Sequence, residues 1–156
     1  MAHPAINIAV NAAHIAGDLL RQELHQVASI PVTRKARHDY VTEIDKASEE
    51  KIVKEIRHYH PDHAILGEEG GEQGESEFVW IIDPLDGTSN YLHGMPHFGI
   101  SIALQVKGRV EHGVVYDPMR DEMFTASRGN GAYLNNTRIR VSARPSLENA
   151  VIATAF

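Results

Sequence analysis

The sequence contains no cysteine. Disulfides, thiolate zinc sites, iron–sulfur clusters and a cysteine nucleophile are thereby excluded together. An excess of positive charge is missing too: 15 Lys and Arg stand against 21 Asp and Glu, a net charge of −6. A dedicated nucleic-acid binder carries a basic stripe instead. Long hydrophobic runs are also lacking. The opening MAHPAINIAVNAAHIAGDLL has no basic leader region, and Asn, His and Asp interrupt it too often for a signal core or a membrane span. A soluble cytoplasmic protein with no membrane partner is the expectation. The composition, 42% apolar and 23% charged over 156 residues, is that of an ordinary globular domain. Chains of about this size bury roughly 68–70% of their unfolded surface, enough for one domain with a core.

Apolar side chains recur at Ile6, Val10, Ala13, Gly17, Leu20, Leu24 and Val27, in steps of four and three. That spacing predicts an amphipathic helix over residues 5–27, with Pro4 suited to its start. The basic stretch 33–39 has no apolar period and reads as a loop or twisted hairpin. A second helical pattern opens at Thr42 and places Ile44, Ala47, Ile52, Ile56 and Tyr59 on one side, ending before Pro61. The texture then changes. Short apolar runs at 64–66, 78–82, 98–106, 110–116, 123–127 and 132–134 read as strands, with Lys107-Gly108-Arg109 as a hairpin turn and Asn135-Asn136 as a tight turn into 137–141. Residues 70–75 read as an acidic loop. Helices first and a meander of strands afterwards predict an α+β fold, two helices packed on a mostly antiparallel sheet. Residues 149–156 read as a buried strand that stops while still apolar, so the chain is expected to be incomplete.

Chemistry concentrates in WIIDPLDGTSN at 80–90. An apolar strand delivers Asp83 and Asp86 to its end, across a proline that fixes the turn. Hard cations such as Mg²⁺ take oxygen ligands, and the two carboxylates with the Leu85 carbonyl supply them. Gly87 lets backbone approach a ligand closely. Thr88 and Ser89 offer capping hydroxyls and N–H groups at a possible helix start, a natural seat for phosphate. Taken alone, D-P-x-D-G suits a plain turn equally well. Glu68 and Glu69 tilt the balance, because a third carboxylate beside two others is costly unless a cation neutralises them. Spacing excludes several alternatives: an aspartyl-nucleophile phosphatase needs its two Asp residues two apart, and Ile82 occupies the first ligand position of an EF-hand loop. The P-loop and H-E-x-x-H patterns are absent. Thr42-x-x-Asp45 reads as a helix capping pattern, and His58, His60 and His63 as a surface cluster at a helix end. Trp80 and Phe98 read as core.

GEE at 67–69 followed by WIIDPLDGTSNYLHGMPHFGISIAL at 80–104 resembles the first signature of the inositol monophosphatase family, in particular its bacterial suppressor-protein branch. VTEID at 41–45 and VVYDPMRDEMFTASRGNGAYLNN at 114–136 are similar to further family elements, so the likeness spans nearly the whole chain. The resemblance implies a Mg²⁺-dependent phosphomonoesterase of inositol monophosphate or a related small phosphate ester. It further implies lithium sensitivity, a homodimer and the first part of a layered α/β sandwich. Glu68, Asp83, the Leu85 carbonyl and Asp86 are then the metal ligands, with Asp83 between two ions. Gly87 and Thr88 hold phosphate through their N–H groups, alongside Glu68, Leu85 and Asp86 at the substrate. Asp45, beside Thr88, joins Glu68 in orienting the attacking water.

Residues 1–156 correspond, on that resemblance, to an N-terminal metal- and phosphate-binding domain. The family's second signature, of W-D-x-A-x-G type, and its C-terminal α/β domain are not in this sequence, where Trp80 is the only tryptophan. Two alternatives come with the family. One is a non-catalytic regulator that binds transcription machinery, with the basic residues Arg34, Lys35 and Arg37 as first candidates for contact. The other is a fructose-1,6-bisphosphatase or nucleotide phosphatase. Lys35 also reads as a possible shield for phosphate charge, against the plainer reading of solvated surface.

Overall fold

The computed structural model describes residues 3–29, 34–148 and 150–152, with side chains left undescribed at 28, 29 and 34–37. Among these residues the order is α1 (Pro4–Ser29), α2 (Arg34–Tyr59), β1 (Ala64–Gly67), β2 (Gly71–Gln73), β3 (Phe78–Asp86), α3 (Thr88–Leu92), β4 (Gly99–Val106), β5 (Arg109–Asp117), β6 (Glu122–Ser127), β7 (Gly131–Leu134) and β8 (Thr137–Ile139). The strands form one sheet in the order β2-β1-β3-β4-β5-β6-β7-β8. Every neighbouring pair is antiparallel except β1 with β3. The expected α+β architecture is therefore present, with one parallel pair.

One face of the sheet builds the core. Register aligns Ile65 with Trp80 and Leu104, Ile82 with Ile102 and Val114, and Ile100 with Tyr116 and Met123. All of these are buried. Residues on a strand alternate between faces, so this row meets the helices while Leu66, Ile81, Ala103 and Val115 lie on the opposite side. Packed over the row are Ile6, Ala13, Gly17, Leu20, Leu24 and Val27 of α1, all buried, while Val10, the remaining position of the four-three stripe, is half-buried. Gly17 is a close approach: a Cβ there would stand 2.6 Å from the Tyr116 ring. Tyr91 of α3, fully buried, donates its hydroxyl to the Leu20 carbonyl at 2.8 Å and meets Phe98 edge to face.

Several local expectations are corrected. The basic stretch is helical from Arg34 onward, because Lys, Ala and Arg favour a helix even without an apolar period; the undescribed side chain of Lys35 leaves its proposed role outside the described residues. Thr42 therefore lies inside α2, its hydroxyl donating to the His38 carbonyl one turn back at 3.0 Å, so it caps nothing. Tyr59 is 54% exposed and not on the packed side, and Ala47 is only half-buried. Gly71–Gln73 is an edge strand pairing with β1 rather than a loop. Asp83-Pro84 does not end β3; the strand continues to Asp86 through a register shift. Pro lacks the ladder N–H and is accommodated at such irregularities. Val151 and Ile152 are exposed and outside any strand, unlike the buried strand expected there; Asn149 and residues 153–156 lie outside the described residues.

Candidate metal and phosphate site

β1 and β3 run parallel, so their carboxyl ends lie side by side. Glu68 follows β1 directly, and Asp83 and Asp86 lie in the last four residues of β3. Parallel strands place ligand sites at this end, and here two apolar strands carry acidic residues toward it. Glu68 is anchored by its N–H, which donates to the Ile82 carbonyl at 3.2 Å. Asp83 accepts the Leu85 N–H at 3.3 Å, and Glu68 and Asp83 act on each other's affinity for a proton. Both acids titrate above their ordinary range. For each the main cause is removal from water; Asp83 and Glu69 add to it for Glu68, and Asp86 for Asp83.

Helix α2 supplies the back wall. Asp45, Ser48 and Glu49, at spacing i, i+3 and i+4, share one face and are the polar residues buried there. Ser48 donates its hydroxyl to the Pro84 carbonyl at 3.1 Å, fixing the β3 end. Glu49 accepts the N–H groups of Glu69 and Gly70 at 2.9 and 2.8 Å, fixing the β1 end. Asp45 is only 4% exposed, and its Oδ1 finds no hydrogen-bond partner among the described residues. Burial, followed by the charges of Glu69, Glu68, Asp83 and Glu49, pushes it up to about 7. The sequence spacing that suggested a cap at Asp45 is thus overturned, and the residue stands with the acidic group instead.

The turn after β3 runs through Gly87 at φ 93°, a left-handed conformation that favours glycine. A Cβ there would also meet the His97 carbonyl at 3.1 Å. Gly87 caps α3 without a side-chain bond, so Thr88 is the first helical residue and not the cap. Its hydroxyl donates to the buried Leu85 carbonyl at 3.0 Å. The first N–H groups of a helix have no intrahelical acceptor, and α3 starts two residues past Asp86.

Among the described residues no three acidic or histidine side chains are already gathered tightly around one point. The donor chemistry nonetheless fits a hard divalent cation: the groups are oxygens, Asp83 raises the proton affinity of Glu68 and Asp86 that of Asp83, and the buried Asp45 Oδ1 lacks a partner among the described residues. The three histidines do not join this set. His58 is exposed, whereas His60 and His63 stack at 4.2 Å and are half-buried against Phe78 and Trp80, which corrects the expectation of a surface cluster. Sequence reasoning missed Ser48 and Glu49. The signal was the gap in apolar period between Ile44 and Ile52, where polar residues occupy stripe positions.

The chain is thus a mostly antiparallel sheet backed by two helices, with acidic residues and a glycine turn near the carboxyl ends of its parallel pair. The chain is a member of the inositol monophosphatase family, whose model matches residues 1–156. It is 53% identical over 157 residues to the Nus factor SuhB of Pseudomonas aeruginosa, covering 98% of this chain and 58% of that protein. The crystal structure of the extragenic suppressor protein SuhB from Bartonella henselae superposes with a TM-score of 0.83 at 40% identity, over 94% of this chain and 58% of that one. The inositol monophosphatase from Anabaena gives 0.77 at 41% identity, over 90% and 50%. The chain thus spans less than two thirds of the length of the relatives it matches. Among the described residues, no helix is long and apolar enough to cross a membrane.

Proposed function

We propose that this chain is the metal- and phosphate-binding part of a cytoplasmic Mg²⁺-dependent phosphomonoesterase acting on inositol monophosphate or a similar small phosphate ester. The observation that carries the reading is that the charges of Glu68 and Asp83, near the carboxyl ends of β1 and β3, act on buried Asp45, whose Oδ1 has no partner among the described residues. Glu68, Asp83, the Leu85 carbonyl and Asp86 would hold Mg²⁺. When bound, the metal neutralises charge on the phosphate and makes a nearby water acidic enough to attack. The N–H groups of Gly87 and Thr88 bind the phosphate oxygens. Thr88, tied to the Leu85 carbonyl, keeps that turn closed on the ligand carbonyl. Asp45 and Glu68 orient the attacking water, and the raised affinity of Asp45 for a proton suits it to accept one near neutrality. No covalent phosphoenzyme is required. The hydroxyl-gripping residues, the rest of the second metal site and a C-terminal α/β domain belong to sequence beyond these residues. Lithium sensitivity and a homodimer accompany this reading.

A second reading is favoured by the name of the Pseudomonas relative, a Nus factor: binding of a transcription partner, with or without turnover. Both are tested on the full-length protein, by Mg²⁺-dependent phosphate release from inositol 1-phosphate alongside a titration with transcription proteins. Release that requires Mg²⁺ supports the enzyme. Partner binding without release, and without any Mg²⁺ uptake, overturns it in favour of the regulator.

A further inference from the structure

Glu49 has no part in the chemistry just described, yet it is 5% exposed and its carboxylate sits under the acidic loop. Two consecutive loop amides, those of Glu69 and Gly70, converge on its two oxygens at 2.9 and 2.8 Å. The loop is shaped around it. A Cβ on Gly67 would stand 2.5 Å from the Glu49 carboxyl, and one on Gly70 2.6 Å from its Oε1. Neither glycine has a positive φ, so it is contact with this carboxylate, not backbone conformation, that demands the missing side chain. Glycine on both sides of the acidic pair in G-E-E-G thus has a physical reason in a residue 18 positions upstream of Gly67.

We infer that Glu49 is a positioning residue, a carboxylate from α2 that holds the Glu68–Gly70 backbone so that the Glu68 side chain faces Asp83. The inference rests on the metal-site reading above and adds to it a group that touches neither metal nor substrate. Two loop amides tied to one rigid helix leave the β1 end little freedom, and Glu68 sits at the residue immediately before them. Groups that orient a ligand in this way commonly contribute about 10–100-fold to metal affinity. Glu49 also borders an open groove of about 1160 Å³ together with Lys46, Glu69 and Gln73. A displaced Glu49 side chain therefore has space to enter.

Three forms of the full-length protein test the role: wild type, Glu49→Gln and Gly67→Ala. Glutamine keeps the shape but offers one acceptor for two amides, while the alanine evicts the native carboxylate without removing it. Each is titrated with Mg²⁺ alone by calorimetry, and amide exchange is followed at Glu69 and Gly70. Both variants are expected to bind Mg²⁺ about 10–100-fold more weakly, to exchange those two amides faster, and to keep the emission of buried Trp80. Their requirement for Mg²⁺ rises while KM at saturating metal is unchanged, which a merely structural defect does not produce. Wild-type Mg²⁺ affinity in both variants overturns the positioning role and leaves the metal site standing. Absence of Mg²⁺ binding in the wild type itself overturns the metal reading, and the inference with it.

Discussion

Helices α1 and α2 are each 26 residues long and lie side by side on the same sheet face, but they are built differently. The buried stripe of α1 is apolar from Ile6 to Val27. That of α2 begins with Val41 and Ile44, breaks into Asp45, Ser48 and Glu49, and resumes with Ile52 and Ile56. Burying polar groups costs stability unless partners satisfy them. Ser48 and Glu49 find theirs in the two loops of the acidic site, and Asp45 Oδ1 finds none among the described residues. The first helix is a lid on the core, whereas the second is also a jig that fixes the ends of β1 and β3 relative to each other. A polar interruption of an otherwise regular stripe marks where stability was given up for a site.

The sharpest way to break this comparison is Asp45→Asn. On the assignment above, loss of a positioned base lowers kcat by about 10²–10⁴-fold, measured as phosphate release by the full-length protein. The same change should raise the stability of the metal-free protein above neutrality. Asp45 is held from its ordinary 3.8 up to about 7 in the fold, chiefly by burial. The folded state thus binds its proton more tightly than the unfolded chain, so this contribution is fully present below the unfolded value and is lost as pH rises through about 7. Denaturant midpoints at several pH values should show that decline in the wild type and a flatter profile in the Asn variant. A variant that is both active and equally pH-sensitive would return Asp45 to the structural category of its neighbours on α1.

The matching change in α1 is Leu20→Ala. Leu20 is fully buried over the sheet, and truncation of such a side chain costs about 2–5 kcal/mol. Because α1 carries no polar group of the site, Mg²⁺ affinity of the folded fraction should be unchanged. A loss of Mg²⁺ binding disproportionate to unfolding would show that the division of labour between the helices is false.

How much of this was legible in the sequence follows from the same contrast. The α1 stripe and the longer strands announce themselves because apolar period and burial coincide. The start of α2 does not, since Arg34–Tyr59 opens with residues that favour a helix by propensity alone. β2 is hidden by Gly71-Glu72-Gln73, residues poor in strand propensity that pair at the sheet edge only because β1 is there. At the site, D-P-x-D-G marks the strand end. Asp45 enters through family resemblance and not through its spacing, which suggested a cap. For Glu49 the break in the apolar period marks a polar stripe position but not its partners, because the amides it binds lie 20 and 21 residues away.

Beyond Ile56, α2 ends in exposed Arg57, His58 and Tyr59, and the turn that follows packs two half-buried histidines on β3. The indole N–H of Trp80 donates to His63 Nδ1 at 3.0 Å, and the His63 ring stacks on Phe78 on one side and His60 on the other. This bond needs an unprotonated Nδ1, so His63 is neutral in the fold. Burial, reinforced by His60 and opposed by Asp62, lowers its affinity for a proton below the ordinary 6.5. The unfolded chain then takes up a proton first: the contribution is complete above 6.5 and is lost as pH falls through that value toward the lower folded one. Trp80 is the only tryptophan, so its emission reads the contact directly. Emission and thermal midpoint should both fall on acidification below 6.5 in the wild type, while His63→Phe keeps the stacking and loses the pH response of the emission. An unchanged emission response in His63→Phe would place the titrating group elsewhere. The smallest of the expected effects, it nonetheless decides whether the far end of α2 belongs with α1 as packing or with the acidic end as a second chemically responsive surface.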